Sequence, residues 1–396
     1  MATERPSAFA LAAAGLLSLA VAMGIGRFSF TPMLPLMIRE GQLDVAVGGW
    51  IAAANYAGYL AGALTAARVP LGAPRLGIVA LVATAVLTAL MAWPGFVPWM
   101  LWRFFAGVAS AWVFVATAVW CLGALAARGE HHRGGFVYAG VGAGIALAGL
   151  YCWAAGALRV AAASLWVQLA VLAAVLMLPV VTIATRIDSP APAPRPKDVA
   201  GAPPRAPAGL VWCYGAMGFG YILPATFLPV LARNVIDDPL WFGLAWPVFG
   251  ATAALSAVVA PSWMRRASRL AVWSRCQWAM GVGALLPSLW PGAASIALSA
   301  LLVGGTFMII TLAGVQEIRA RVPDAPTAAV GRMTAAFAWG QIAGPVASAL
   351  LLHIPALRER GLELALQAAA GVLFASAWWL QREAASHSTK EMSHAR

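Results

Sequence analysis

Two arginines limit the chemistry open to this chain. Arg27 lies in AMGIGRFSFTPMLPLMIR (22–39), with no further charge until Arg39, and Arg103 lies in MLWRFFAGVASA (100–111). A guanidinium stays charged and presents a planar fork of N–H donors that fits carboxylate or phosphate. Set in an apolar run, it binds an anion and marks a functional position by default. The structural alternative for both residues is a bond to helix-end carbonyls of a neighbouring segment, or a side chain that snorkels outward. The fourteen acidic residues all avoid the middle of the apolar runs, and only Glu317 touches one, at its end. No carboxylate is therefore placed to carry a proton or build a sodium site at mid-run. A cavity with fixed cations and no acids favours an anionic solute. Glu317 is expected to pair with Arg319, Arg321 or Arg332 near an inner gate, which makes Glu317 and Arg332 the gating candidates.

The neutral polar residues inside apolar runs are few: Asn55, Tyr56, Tyr59, Tyr138, Tyr214, Tyr221, Gln316 and Gln341. Each fits a solute pathway or a helix-to-helix hydrogen bond. The pathway set expected here is Arg27, Asn55, Tyr59, Arg103, Tyr138, Tyr221 and Gln341. Other chemistries find no support. The chain has no GxSxG, phosphate loop or HExxH, so an enzyme is not expected. Cys121, Cys152, Cys213 and Cys276 lie in apolar runs without a CxxC pair and read as small packing residues. His131 and His132 sit beside Glu130 with no third ligand at metal spacing, so no metal or other cofactor is expected. The net charge of +12 is dispersed among connecting loops, which excludes a nucleic-acid partner.

The elements that carry these residues follow from composition. Apolar residues make up 62 % of the 396 and charged residues only 10 %, against about 25 % charge in a soluble domain. Runs of about 20 apolar residues recur, long enough for a hydrocarbon core of about 30 Å. Helices are the expected form because barrel-type alternation is absent. Twelve spans are expected at 9–38, 45–67, 75–93, 97–126, 134–157, 163–185, 209–232, 240–263, 270–290, 293–317, 328–352 and 363–381. The first run continues past thirty residues and reads as a span rather than a removed signal.

A repeat divides the chain. Residues 22–39 align without a gap on 216–233 (AMGFGYILPATFLPVLAR), matching at Ala22/Ala216, Met23/Met217, Gly24/Gly218, Gly26/Gly220, Leu34/Leu228, Pro35/Pro229 and Arg39/Arg233. Tyr221 takes the place of Arg27 in the second copy. Paired Gly/Pro-interrupted spans at matching places in two halves point to a solute site between them. The Pro-rich segment IDSPAPAPRPKDVAGAPPRAPA reads as a solvated tether. The expected division is 1–186 as one six-helix bundle, 187–208 as linker and 209–396 as a second bundle with a short tail. Loops on the N-terminal side hold 17 Lys and Arg and those on the other side five (Arg39, Arg159, Arg233, Arg358 and Arg360). Both termini and the linker are therefore expected in the cytoplasm. Trp93, Trp99 and Trp102 are expected to form an interfacial belt. The glycines of span five (Gly140, Gly142, Gly144, Gly149), with Gly304, Gly305, Gly340 and Gly344 in the second half, suit close helix packing.

Several of these stretches carry a resemblance. RFFAGVASA (103–111) resembles the span-four motif of major facilitator transporters, with Ala106 in place of the usual Gln. GVGAGIALAG (140–149) resembles the span-five motif of exporters without its Gly-Pro step, and GALTAARVPLGAPR (62–75) stands where GxLADRxGRR is usual, with Ala66 for the Asp. GIGRFSFTPMLPLM (24–37), GGWIAAANYAGYLAGAL (48–64) and GRMTAAFAWGQIAGP (331–345) resemble the YbfB/YjiJ-type branch of that superfamily. The resemblance implies an all-α integral membrane protein with the major facilitator fold, its 12 transmembrane helices in two six-helix pseudo-repeat bundles. It also implies a permease of the bacterial inner membrane, and a functional role for Arg103. The expected function is secondary active transport of a small anionic organic solute by alternating access. Protons are a candidate coupling partner, the lipid bilayer is the surrounding medium, and the protein is expected to be a monomer. The competing readings are a proton-coupled drug or sugar exporter and a non-transporting membrane sensor on the same fold.

Overall fold

A computed structural model describes residues 6–187, 207–236, 243–323 and 326–394. The expected linker falls almost wholly outside these residues. Among them run twelve long helices and no strand. They are α1 (Ala8–Arg39), α2 (Val45–Thr65), α3 (Ala73–Leu90), α4 (Phe96–Ala126), α5 (Gly134–Ala157) and α6 (Ala162–Ala184). The second six are α7 (Ala208–Val235), α8 (Ala245–Met264), α9 (Arg269–Leu289), α10 (Ala293–Arg321), α11 (Pro326–His353) and α12 (Gly361–His394). Ten are long and apolar enough to cross a membrane by composition alone. The other two, α2 and α9, are 21 residues each, about 31 Å at 1.5 Å per residue. Asn55, Tyr56 and four glycines dilute α2, and Arg275 and Gln277 dilute α9, which is why hydropathy undercounts them.

Burial separates central from peripheral helices. In α7, 83 % of the most apolar window is buried within the protein, whereas in α6 only 28 % is. The exposed side of α6 is a stripe of Val167, Val171, Val175 and Leu178 at helical spacing, an apolar face offered to lipid. The halves meet where α5 packs on α8, where α2 packs on α11, and where the second part of α1 meets α7. Here the cross-half fit depends on small residues. A side chain on Gly142 would collide with the main chain of Ala254 and Gly250, and one on Gly250 with that of Ala146.

Two expectations change. Trp99 is buried and donates its indole N–H to the carbonyl of Met91 at 3.0 Å, closing the α3–α4 hairpin, while Trp93 is the exposed member of the expected belt. The last helix runs 13 residues beyond the expected end at 381, to His394. Hydropathy registers the membrane rather than the helix, and QREAAS continues the α-helix in water on good helix formers.

Candidate functional site

The site begins with a break in α1. Between Ala20 and Arg27 the helix widens into π-turns, and Phe28 N–H donates to Met23 five residues back at 2.9 Å. The chain then turns at Phe28–Ser29 and resumes as α-helix at Phe30. Pro32, early in the resumed helix, has no N–H and so leaves the Phe28 carbonyl without its α-helical partner. Thr31 N–H bonds to Phe28 instead of reaching Arg27. The carbonyls of Gly26 and Arg27 are thereby released inside a membrane protein and need other donors. Arg103 supplies them, its Nη1 reaching the Gly26 carbonyl at 2.8 Å and its Nη2 the carbonyl of Arg27.

Arg103 thus makes the contacts of the structural alternative, a bond to carbonyls at a helix break. The side chain is buried, lies over the Phe30 ring at 5.3 Å, and caps a broken helix, holding Arg27 in place. Asn55 stands one step further back, donating its amide to the Arg103 carbonyl at 2.8 Å. This contact needs α2 and α4 at close quarters. Gly107, one turn below Arg103, allows it, because a side chain there would run into the main chain of Asn55 and Tyr59.

Arg27 itself is 2 % exposed. Its Cζ lies 3.9 Å from the Tyr59 ring centroid, 5.2 Å from that of Tyr56 and 5.1 Å from that of Phe28, a box of aromatic faces around a cation. Its Nη2 donates to Gln341 Oε1 at 2.8 Å, across the boundary between the halves. Gln341 Nε2 donates in turn to the Tyr221 hydroxyl. One amide thus joins the two residues that occupy the same position in the repeat. Tyr221 is stacked between Phe307 and Phe337 at 5.5 and 5.6 Å, with the ring planes within 4° and 9° of parallel. Arg27 Nε has no hydrogen-bond partner, and no carboxylate pairs with this guanidinium among the described residues.

Of the expected pathway residues, the structure gathers Arg27, Tyr59, Gln341 and Tyr221, and sets Asn55 and Arg103 behind them as supports. Tyr138 lies elsewhere. It packs near Phe114 and lines a cavity of about 560 Å³ with Gln316, His131, His132 and Arg265, at the face where α1 starts. The loops of this basic face carry most of the Lys and Arg. Glu317 also moves. Its oxygens accept from Arg321 Nε at 2.8 Å and from Arg269 Nε at 3.0 Å, and Arg321 continues to Glu383 at 2.7 Å. The network ties α9, α10 and α12 of one half together, and Arg332 stands half-buried on α11 of that same half.

Sequence reasoning missed the remaining cross-half bonds. Thr31 Oγ1 donates to the Ala225 carbonyl at 2.9 Å, Tyr56 shares a 3.0 Å bond with Thr226, and Arg233 Nη1 donates to the Pro35 carbonyl at 2.7 Å. Thr31 and Ala225 are repeat equivalents, 194 positions apart, so the pseudo-twofold axis passes near this bond. The offset could have flagged the pair. All three bonds lie on the side of Arg27 away from the basic face, so the halves are tied together there.

The comparisons agree on architecture. The chain superposes on a point mutant of the nucleoside transporter NupG with a TM-score of 0.73 at 15 % identity, covering 94 % of this chain and 99 % of that one. A bacterial homolog of the human lysosomal transporter Spinster, in an inward-facing and occupied conformation, gives 0.70 at 14 % identity, with 94 % and 95 % covered. A D-xylose–proton symporter gives 0.69 at 12 % identity, with 94 % and 96 % covered. No curated protein sequence matches the chain significantly. The profile of the family described as "Uncharacterised MFS-type transporter YbfB" matches residues 19–381. This chain therefore belongs to that family of the major facilitator superfamily, a multi-pass membrane transporter and not an enzyme.

Proposed function

We propose that the protein is a secondary active transporter that carries a small anionic organic solute across the bacterial inner membrane by alternating access, with Arg27 as the anchor for the anionic group. The observation that carries this reading is the state of Arg27: buried, boxed by aromatic rings, bonded to the neutral amide of Gln341 and, among the described residues, in no ion pair with a carboxylate. An uncompensated buried charge is costly. A negative group on the solute would supply the missing partner and displace Gln341 from Nη2. Losing that amide bond loosens one of the links between the halves, so binding and opening would be coupled. Gln341 and Tyr221 would then re-form their contacts on release.

The excess of Lys and Arg on the basic face favours a cytoplasmic location for it. Cysteine tags at His132 and Trp93 test this, since the first should label from the cytoplasm and the second from outside; the reverse pattern would overturn the orientation. The solute class is tested by thermal-shift screening of purified protein against carboxylates, phosphate esters, nucleosides and neutral sugars. A ligand bound only by the folded state raises the melting temperature. Stabilisation by anionic compounds in the parent, lost in Arg27→Gln, is the expected result. Stabilisation by neutral solutes alone would refute the anionic reading.

A further inference from the structure

A second cavity, of about 290 Å³, opens between the halves on the face away from the basic one, and Arg39 and Arg233 both line it. These arginines are repeat equivalents, so the pseudo-twofold axis brings both guanidinium groups to one space. Arg233 commits one nitrogen to the Pro35 carbonyl at 2.7 Å. The nearby acids of the described residues are engaged elsewhere. Glu40 accepts from the Ala162 N–H and from Gln42 Nε2, each at 2.8 Å, and Asp44 caps α2 at Val47 N–H, also at 2.8 Å. Trp246 lines the same cavity, and its ring lies 6.3 Å from that of Phe28, which in turn lies 5.1 Å from Arg27 Cζ. Two aromatic rings thus stand between this cavity and Arg27, with Arg39 about 18 Å along α1 from Arg27 at 1.5 Å per residue.

We infer that this cavity is a capture subsite for a small solute bearing a carboxylate or phosphate group, loaded before the solute passes the Trp246 and Phe28 rings. The subsite stands on Arg39 and Arg233 alone, and its place on the path to Arg27 rests on the function proposed above. A like-signed pair in a walled cleft raises the local concentration of counter-ions by about tenfold or more.

The test needs no known substrate. Ala157, which lines the cavity, is changed to Cys in a chain whose four native cysteines are replaced. Its reaction rates with an anionic sulfonatoethyl and a cationic trimethylammonium-ethyl methanethiosulfonate are then compared. The parent should favour the anion about tenfold, and Arg39→Gln with Arg233→Gln should bring the ratio near one. Millimolar succinate or inorganic phosphate should slow the labelling in the parent but not in the double variant. Arg27→Gln should leave the ratio unchanged, which separates this claim from the central site. If the double variant fails to fold, Arg39→Gln alone carries the test, because its side chain is exposed, and the ratio should fall part of the way. A ratio near one in the parent, or one indifferent to both arginines, would overturn the subsite. Protection by vesicles of anionic lipid, with none by succinate or phosphate, would assign the cavity to a headgroup and equally overturn it.

Discussion

Arg27 and Arg103 are the same residue type in similar apolar runs, yet their surroundings differ. Arg103 meets two carbonyls released by the α1 break, so its hydrogen-bonding capacity is largely used by the protein. Arg27 meets a neutral amide and aromatic faces, so on the proposed reading its charge is left for a ligand. Gln341→Glu puts the difference to use. A carboxylate 2.8 Å from Nη2 would give Arg27 a resident counter-ion, and binding of anionic solutes should fall about ten- to a hundredfold, the value of a charge-assisted hydrogen bond. The variant should melt at or above the parent temperature. Unchanged anion affinity in calorimetric titration would show that Arg27 is not the anchor. Arg103→Lys keeps the charge but loses the fork that spans two carbonyls. It should lower stability by about 1–3 kcal/mol, the cost of one buried acceptor left unsatisfied. Denaturation of the purified variant measures this, and wild-type stability would contradict the capping role.

At the scale of the helix, sequence revealed some features and hid others for physical reasons. The repeat, the twelve spans and the polar set were legible because apolar runs, Gly/Pro interruptions and isolated charges leave local marks. The partners of those charges were not. In sequence Arg103 reads equally as a ligand or a helix cap, and its bonds to the α1 break appear only in three dimensions. Glu317 could be read as an inner gate because it is the one acid at a span end. Arg269, 48 positions away, is a partner that no local pattern names. The geometry gives Glu317 the task of fastening α9 and α10 to the Arg321–Glu383 pair on α12. Glu317→Gln should therefore lower the melting temperature by breaking part of a partly buried network, at a cost that solvent screening holds below the about 3–5 kcal/mol of a fully buried pair. Accessibility of cysteines in the cavity on the basic face should stay as in the parent. A large change in that accessibility without loss of stability would restore the gate.

For the whole molecule, the two halves are joined most visibly at their shared axis. Thr31–Ala225, Tyr56–Thr226 and Arg233–Pro35 close one side, and Arg27–Gln341–Tyr221 sits beneath them. Small residues let α5 and α8 pack in close contact, and on the proposed mechanism that contact would serve the rocking of one half against the other. The solute, on this account, enters the rocking equilibrium by completing the charge at Arg27. The most direct measurement is counterflow in proteoliposomes, using the anion that best stabilises the parent in the thermal screen, for the parent, Arg27→Lys and Arg27→Gln. The account predicts partial exchange for Arg27→Lys, which keeps the charge, and a loss of about ten- to a hundredfold for Arg27→Gln. Exchange by Arg27→Gln at the parent rate would contradict it and leave Arg27 a structural residue.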